Sequence, residues 1–112
     1  MKARYNLWIE LDGKVIISRW RVRLLDAIDR TGSITAAAEE LNVPYRRAWE
    51  RIHEMEARMN LPLVRTLVGG SRGGGAQLTE HAKDLMHRYR TCCDGLDEMI
   101  EERFQDAFKG MG

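Results

Sequence analysis

The segment Ser33–Arg58 constrains the fold of this chain more than any other part of the sequence. It contains two stretches with helical periodicity, separated by Asn42-Val43-Pro44. Proline cannot continue a helix, because it lacks a backbone N–H and its ring clashes with the preceding turn, but it is tolerated where a helix begins. The spacing therefore predicts one helix ending near Leu41 and a second helix over residues 44–59, joined by a tight turn.

The second of these helices divides into two faces at the period of 3.6 residues. The apolar and aromatic face is expected to pack inward: Tyr45, Ala48, Trp49, Ile52, Met55 and Met59. The charged face is expected to point outward: Arg46, Arg47, Glu50, Arg51 and Glu54. A helix supported from behind, with arginines forward, fits the major groove of DNA in a helix-turn-helix. The alternative is a solvated face with intrahelical Glu–Arg pairs, which is a common pattern.

The residues before this motif predict a hairpin and a first helix. Asp12-Gly13 is a two-residue turn signal between two apolar runs, so a β-hairpin is expected over residues 1–18. Ser18 is the predicted N-cap of a helix over residues 19–30, which Gly32 ends. Ser33 or Thr35 is expected to cap the next helix. The polar residues of the first helix are expected to face solvent: Arg19, Arg21, Arg23, Asp26, Asp29 and Arg30.

The residues after the motif predict a wing. A short strand over 63–68, a run of five glycines within residues 69–75 and a second strand over 76–78 follow in order. This order predicts a mainly α (α+β) fold, a winged helix-turn-helix with an N-terminal β-hairpin and a long C-terminal dimerisation helix. The expected parts are the hairpin (1–18), the winged helix-turn-helix DNA-binding domain (19–79) and the dimerisation helix (80–112). A Walker loop is excluded by the spacing, whereas a simple mobile hairpin tip remains an alternative for the glycine run.

The C-terminal segment carries a heptad-like apolar seam that predicts a subunit interface. Gly95 weakens the middle of this helix and allows a bend. The alternative is a helix that folds back on its own core. The predicted interface of a homodimer consists of Leu85, Tyr89, Cys92, Leu96, Met99, Ile100 and Phe104.

Charge and cysteine usage narrow the class of protein. The net charge of +1 conceals a basic middle, since residues 19–79 carry ten basic and seven acidic side chains, whereas residues 80–112 carry five and eight. This asymmetry permits a polyanionic partner. Adjacent Cys92 and Cys93 indicate reduced thiols in a reducing compartment. Without a signal-peptide core or an apolar run of about 20 residues, we expect a soluble cytoplasmic protein with no membrane partner.

The sequence offers no candidate for catalysis, metal or cofactor. The imidazoles and thiols of His81, His87, Cys92 and Cys93 are spaced along one helix rather than around one tetrahedral point, so no metal is expected. No serine–histidine–acid arrangement or converging pair of carboxylates stands out. The chain is therefore not expected to be an enzyme, and no cofactor is expected.

Several motifs together resemble a known family. They are Thr31-Gly32-Ser33-Ile34, Ala37-Ala38, Tyr45-x-x-Ala48-Trp49, and the glycine run 69–75 before Leu78-Thr79. Over residues 19–90 the chain resembles the DNA-binding half of ModE-type, molybdate-responsive transcription regulators, and more distantly the helix-turn-helix of LysR-type regulators. The family usually has serine where this chain has Pro44. Its molybdate-sensing part is a C-terminal pair of small β-barrel-like domains, for which a chain ending at Gly112 leaves no room, so sensing by that route is not expected.

The motifs and the resemblance together predict a sequence-specific DNA-binding transcription regulator that lacks the molybdate-binding effector domain. Its partner would be double-stranded DNA, with helix 44–59 in the major groove and the wing 69–75 on the backbone or minor groove. The alternative is a winged-helix interaction module that works with a separate effector-sensing protein. The predicted DNA-binding residues are Ser33, Thr35, Tyr45, Arg46, Arg47, Glu50, Arg51, Ser71 and Arg72.

Overall fold

The computed structural model describes residues 1–68 and 75–112. In these residues the chain forms two antiparallel β-hairpins and five helices, in the order β1 (Trp8–Leu11), β2 (Lys14–Ser18), α1 (Arg19–Thr31), α2 (Ile34–Glu40), α3 (Tyr45–Met59), β3 (Val64–Leu67), β4 (Gly75–Leu78), α4 (Glu80–Cys93) and α5 (Leu96–Ala107). Helices α1 to α3 followed by the β3–β4 hairpin form a winged helix-turn-helix, which confirms the predicted fold class.

The core lies between α1, α2 and α3 and extends to β2, β4 and α4. Its largest fully buried side chains are Ile17, Leu24, Leu25, Ile28, Ile52, Met55 and Leu63. The helix ends are fixed by the predicted caps. Ser18 Oγ accepts from the Arg21 N–H at 3.2 Å, and Ser33 Oγ accepts from the Ala36 N–H at 3.1 Å. Ser33, rather than Thr35, is therefore the cap of α2.

The wing is attached to the motif through its backbone. Gly32 ends α1 in the left-handed region at φ 72°, and its carbonyl accepts from the Ala76 N–H of β4 at 2.8 Å. At the other strand, Glu56 Oε2 accepts from the N–H groups of Leu63 and Val64 at 2.7 and 3.2 Å. A side chain of α3 thus holds the start of β3, so α3 and this strand keep a fixed relative position.

The N-terminal hairpin forms as predicted and packs onto the rest of the domain. Asp12 and Gly13 both have positive φ, 53° and 78°, as a tight hairpin turn requires. Arg58 Nη1 donates to the Val15 carbonyl at 2.6 Å, and the Tyr89 hydroxyl donates to the Leu7 carbonyl at 2.7 Å. An isolated hairpin is marginally stable in water, and these contacts supply the support that it needs.

The predicted C-terminal helix is interrupted at Asp94-Gly95, where its glycine allowed a bend, and it forms the two helices α4 and α5. Gly95 has φ 79°, a left-handed conformation that costs glycine little because it has no Cβ. After this break α5 projects from the domain, and none of its described residues is buried. The chain consequently measures 62 Å along its longest axis against 29 and 20 Å along the others.

Candidate nucleic-acid interface

Helix α3 presents a buried face and an open face. Ala48, Ile52 and Met55 are buried against the core, as predicted. Arg46 and Arg47 point away from the core, and 88% of the Arg46 side chain is exposed. The helix is therefore held from behind, and its arginines are available to a ligand that approaches from outside.

The three predicted arginines of α3 differ in their exposure and in their ion pairs. Arg46 Nε donates to Glu50 Oε1 at 3.0 Å across one exposed turn, a pairing that water screens strongly. In the described ranges Arg47 has no ion pair. Arg51 is less exposed, and its Nη1 lies 3.3 Å from Glu54 Oε2. Arg46 and Arg47 are thus the arginines of α3 most accessible to an external ligand.

The inward placement of Tyr45 and Trp49 was predicted wrongly. Tyr45 is 49% exposed and Trp49 is 43% exposed. Trp49 follows Ala48 directly, and one residue turns a helix by about 100°, so the indole lies at the edge of the buried stripe. Helical side chains lean toward the N-terminus, so the ring of Tyr45, the first residue of α3, extends beyond the first turn.

The exposed indole is held in place by a neighbour on the next turn. Its ring centroid lies 3.7 Å from that of the His53 imidazole, and the two planes are 23° apart. His53 Nδ1 donates to the Trp49 carbonyl at 2.8 Å. Tyr45, Trp49 and His53 therefore form an aromatic strip beside the arginines, which the separation into charged and apolar residues did not reveal.

A second correction concerns Arg21, which was expected to face solvent and is only 8% exposed. Its Nη2 donates to Glu54 Oε1 at 2.6 Å, and Arg58 Nη1 lies 2.8 Å from the same oxygen. The pKa of Glu54 is lowered, first by the hydrogen bond from Arg21 and then by the nearby charges. The spacing of Arg21 from Leu24, Leu25 and Ile28 (i+3, i+4, i+7) was the signal that placed it on the inner face.

The remaining predicted DNA contacts are distributed around this helix. Ser33 is half-buried at the start of α2, where its hydroxyl oxygen caps the helix, and Thr35 is exposed two residues further along the chain. Glu50 is exposed and paired with Arg46. The predictions for Ser71 and Arg72 lie outside the described residues.

The predicted interface residues separate into two groups. Tyr89 is buried in the chain's own core, and its hydroxyl contacts Leu7, so the seam does not continue along α4 as an open stripe. Leu85 is half-buried, whereas Cys92 is exposed. On α5, Met99 is exposed and three apolar side chains are half-covered: Leu96, Ile100 and Phe104.

Within residues 1–68 and 75–112, no group of three or more histidine, cysteine, aspartate or glutamate side chains could hold a metal ion. In the same residues, no helix is long and apolar enough to cross a membrane.

A winged helix-turn-helix whose arginine-bearing third helix faces outward is the architecture of a DNA-binding domain. The family model for the bacterial regulatory helix-turn-helix protein, lysR family, matches residues 20–83. The chain belongs to this family.

Curated relatives extend the comparison. The chain is 36% identical over 107 residues to the molybdenum transport protein ModE of Azotobacter vinelandii, covering 89% of this chain and 39% of that protein. It is 39% identical over 102 residues to the transcriptional regulator ModE of Haemophilus influenzae, covering 91% and 37%. The chain thus spans less than two fifths of the length of these relatives, and the similarity to ModE regulators that the motifs predicted is confirmed.

Two solved structures share the fold. The DNA-binding domain in the CbnR–DNA complex aligns with a TM-score of 0.59 at 20% identity, over 80% of this chain and 97% of that one. ArgP from Mycobacterium tuberculosis aligns with a TM-score of 0.54 at 24% identity, over 74% and 29%. At these identities the likeness establishes the winged-helix fold alone.

Proposed function

We propose that this protein is a sequence-specific transcription regulator that places α3 in the major groove of operator DNA. The observation that carries the proposal is the division of α3, in which Ala48, Ile52 and Met55 are buried while Arg46 and Arg47 face outward. Arginine can donate two hydrogen bonds to guanine O6 and N7, or clamp phosphate as a planar fork. Arg46 and Arg47 lie in the first turn of the helix, the part that meets base edges in helix-turn-helix proteins.

The contacts around α3 extend the proposed surface. Ser33 and Thr35, at the start of α2, are positioned to donate to a phosphate. The glycine-rich wing, with Ser71 and Arg72, is proposed to follow the backbone or minor groove, where arginine is attracted to narrow A·T tracts. The relatives named as ModE transcriptional regulators, and the neighbour solved as a complex with DNA, support this assignment.

Selection of binding sites from a random duplex library tests the proposal. We expect the protein to enrich a defined sequence, and its affinity for that duplex to fall by about 10³-fold between 50 and 200 mM salt, as for about six phosphate contacts that release counterions. A duplex of scrambled sequence is the control. Absence of an enriched sequence, together with a flat salt response, would favour the protein-interaction module instead.

We further propose that α5 pairs two copies of the chain. Its apolar side chains recur at helical spacing, and none of the described residues of the helix is buried within the chain. Because this stripe is only partly covered within the chain, a second copy is the occupant that symmetry makes simplest. The stripe consists of Leu96, Met99, Ile100 and Phe104. The two recognition helices would then meet major-groove turns about 34 Å apart.

Phe104→Asp tests the dimer. Each symmetric dimer contains this residue twice, and loss of about 1.5–3 kcal/mol for each buried phenylalanine side chain weakens dimerisation by at least about 100-fold. Sedimentation equilibrium measures the change. The matched control is Gln105→Asp, the same substitution on the other side of the helix, where the side chain only bonds Glu101. Unchanged dimerisation of Phe104→Asp would remove α5 from the interface.

A further inference from the structure

We propose that Trp49, with Tyr45, recognises thymine in the operator through the C5-methyl group exposed in the major groove. This inference rests on the proposed function, because it requires α3 to enter that groove. It assigns a specificity-determining role to Trp49, which its helical spacing from Ile52 and Met55 had predicted to lie in the core.

The exposure of the two rings is the first observation. Trp49 and Tyr45 leave 43% and 49% of their surface open beside the exposed charged residues of α3. Aromatic side chains gain most from leaving water, so a partner surface with an apolar group at this place is favoured. Among the base edges in the major groove, the thymine methyl is the apolar group, whereas the other edges present hydrogen-bond donors and acceptors. Bases in a duplex are stacked, so their faces are closed to an indole.

The second observation is that the indole is already ordered. The His53 ring stacks on it with ring centroids 3.7 Å apart, and the hydrogen bond from His53 Nδ1 to the Trp49 carbonyl fixes the imidazole on the next turn. A side chain held in one rotamer loses little entropy when it binds. Trp49 is therefore ordered before it binds and does not need to change its rotamer to contact a base.

The position of Arg46 relative to Trp49 predicts the spacing between the thymine that Trp49 contacts and a guanine that Arg46 contacts. Arg46 lies three residues before Trp49, and residues three apart on a helix have Cβ atoms about 5–6 Å from each other. Successive bases on one strand rise by about 3.4 Å. The two side chains therefore reach bases one or two steps apart, and the enriched sequence is expected to place thymine within two base pairs of a guanine read by arginine.

Deoxyuridine provides the test, since it removes the methyl group of thymine and preserves its hydrogen-bonding pattern. In the duplex enriched by the selection, each thymine is replaced in turn by deoxyuridine, and the affinity of the wild-type protein is measured. We expect a loss of about fourfold at one or two positions, the value for one buried methyl group. Trp49→Ala is expected to weaken binding of the thymine duplex by at least this factor. The variant should bind the thymine duplex and the duplexes with deoxyuridine at those positions with the same affinity.

Trp8→Ala is the matched control, because Trp8 is exposed to a similar degree, 48%, but lies on β1. This variant is expected to retain both the affinity and the deoxyuridine response of the wild type. If the wild type binds the enriched duplex and is indifferent to every deoxyuridine, or if Trp49→Ala keeps the fourfold response, the thymine assignment is overturned while the proposed function stands. If no duplex is enriched at all, the proposed function itself fails.

Discussion

Replacing Arg46 and Arg47 together with alanine is expected to abolish selective DNA binding and to leave the fold intact. Each arginine that bonds a guanine bidentately contributes about 1–3 kcal/mol of discrimination, so losing both weakens operator binding by about 30-fold to 10⁴-fold. Both side chains are exposed, so their removal opens no cavity. Electrophoretic mobility shift with the selected duplex and with a scrambled duplex measures the loss, and a thermal melt monitors the fold.

Arg88→Ala is the control for this experiment. Arg88 lies on α4, and its Nε donates to Asp84 at 2.8 Å across one exposed turn, the same pairing that joins Arg46 to Glu50. The Arg88→Ala substitution removes one exposed, paired arginine and leaves α3 unchanged, so operator binding is expected to be close to that of the wild type. Wild-type affinity in the Arg46→Ala/Arg47→Ala protein would show that another surface carries recognition.

Glu54→Gln is expected to cost about 3 kcal/mol of unfolding free energy, the lower end of the range for breaking a buried ion pair. Glutamine keeps the shape of the side chain but removes the negative charge that Arg21 meets at 2.6 Å. The Arg21 side chain is only 10% exposed, so its positive charge stays buried without compensation, whereas Glu54 is 26% exposed and water moderates the cost. Urea denaturation at neutral pH measures the difference.

The pH dependence of this difference gives an independent check. Because the folded protein holds the pKa of Glu54 below its ordinary value of 4.5, the ion pairs stabilise the fold fully above that pH. Their contribution is lost as the pH falls through the lowered pKa, so the gap between wild type and Glu54→Gln should narrow below about pH 4.5. A gap that stays constant down to pH 3 would mean that the charge of Glu54 does not cause it.

Glu40→Gln is the control for the buried network. Glu40 accepts two hydrogen bonds from Arg30, but both side chains are about half exposed, so water screens the pair. Its loss should change the unfolding free energy far less than Glu54→Gln does. An equal loss of unfolding free energy in the two variants would show that the burial of the Arg21–Glu54 ion pair does not increase its contribution to stability.

The sequence was sufficient for the elements with strong local signals. Ser18, Ser33 and the Asp12-Gly13 turn act through neighbours within a few residues, and their roles were predicted correctly because such chemistry does not depend on the rest of the fold. The buried stripe of Ala48, Ile52 and Met55 was equally predictable, since its period matches the helix.

The errors arose where residue type and position disagree. Tyr45 and Trp49 are aromatic but lie at the end or edge of the buried stripe, while Arg21 is charged but has inward spacing. In each case position on the helix decided burial, and the chemical type indicated the opposite. The bonds from Glu56 to the start of β3 had no sequence signal at all, because they depend on how two elements meet in space.

The break at Gly95 means that half-site sequence and half-site spacing depend on different parts of the chain. If α5 joins the subunits as proposed, the backbone angles of one glycine determine how far apart the two α3 helices stand, whereas the side chains of α3 determine which bases each one reads. Half-site sequence and half-site spacing can then diverge independently in evolution. A single substitution between α4 and α5 would redirect the protein to operators with the same half-sites at a different separation.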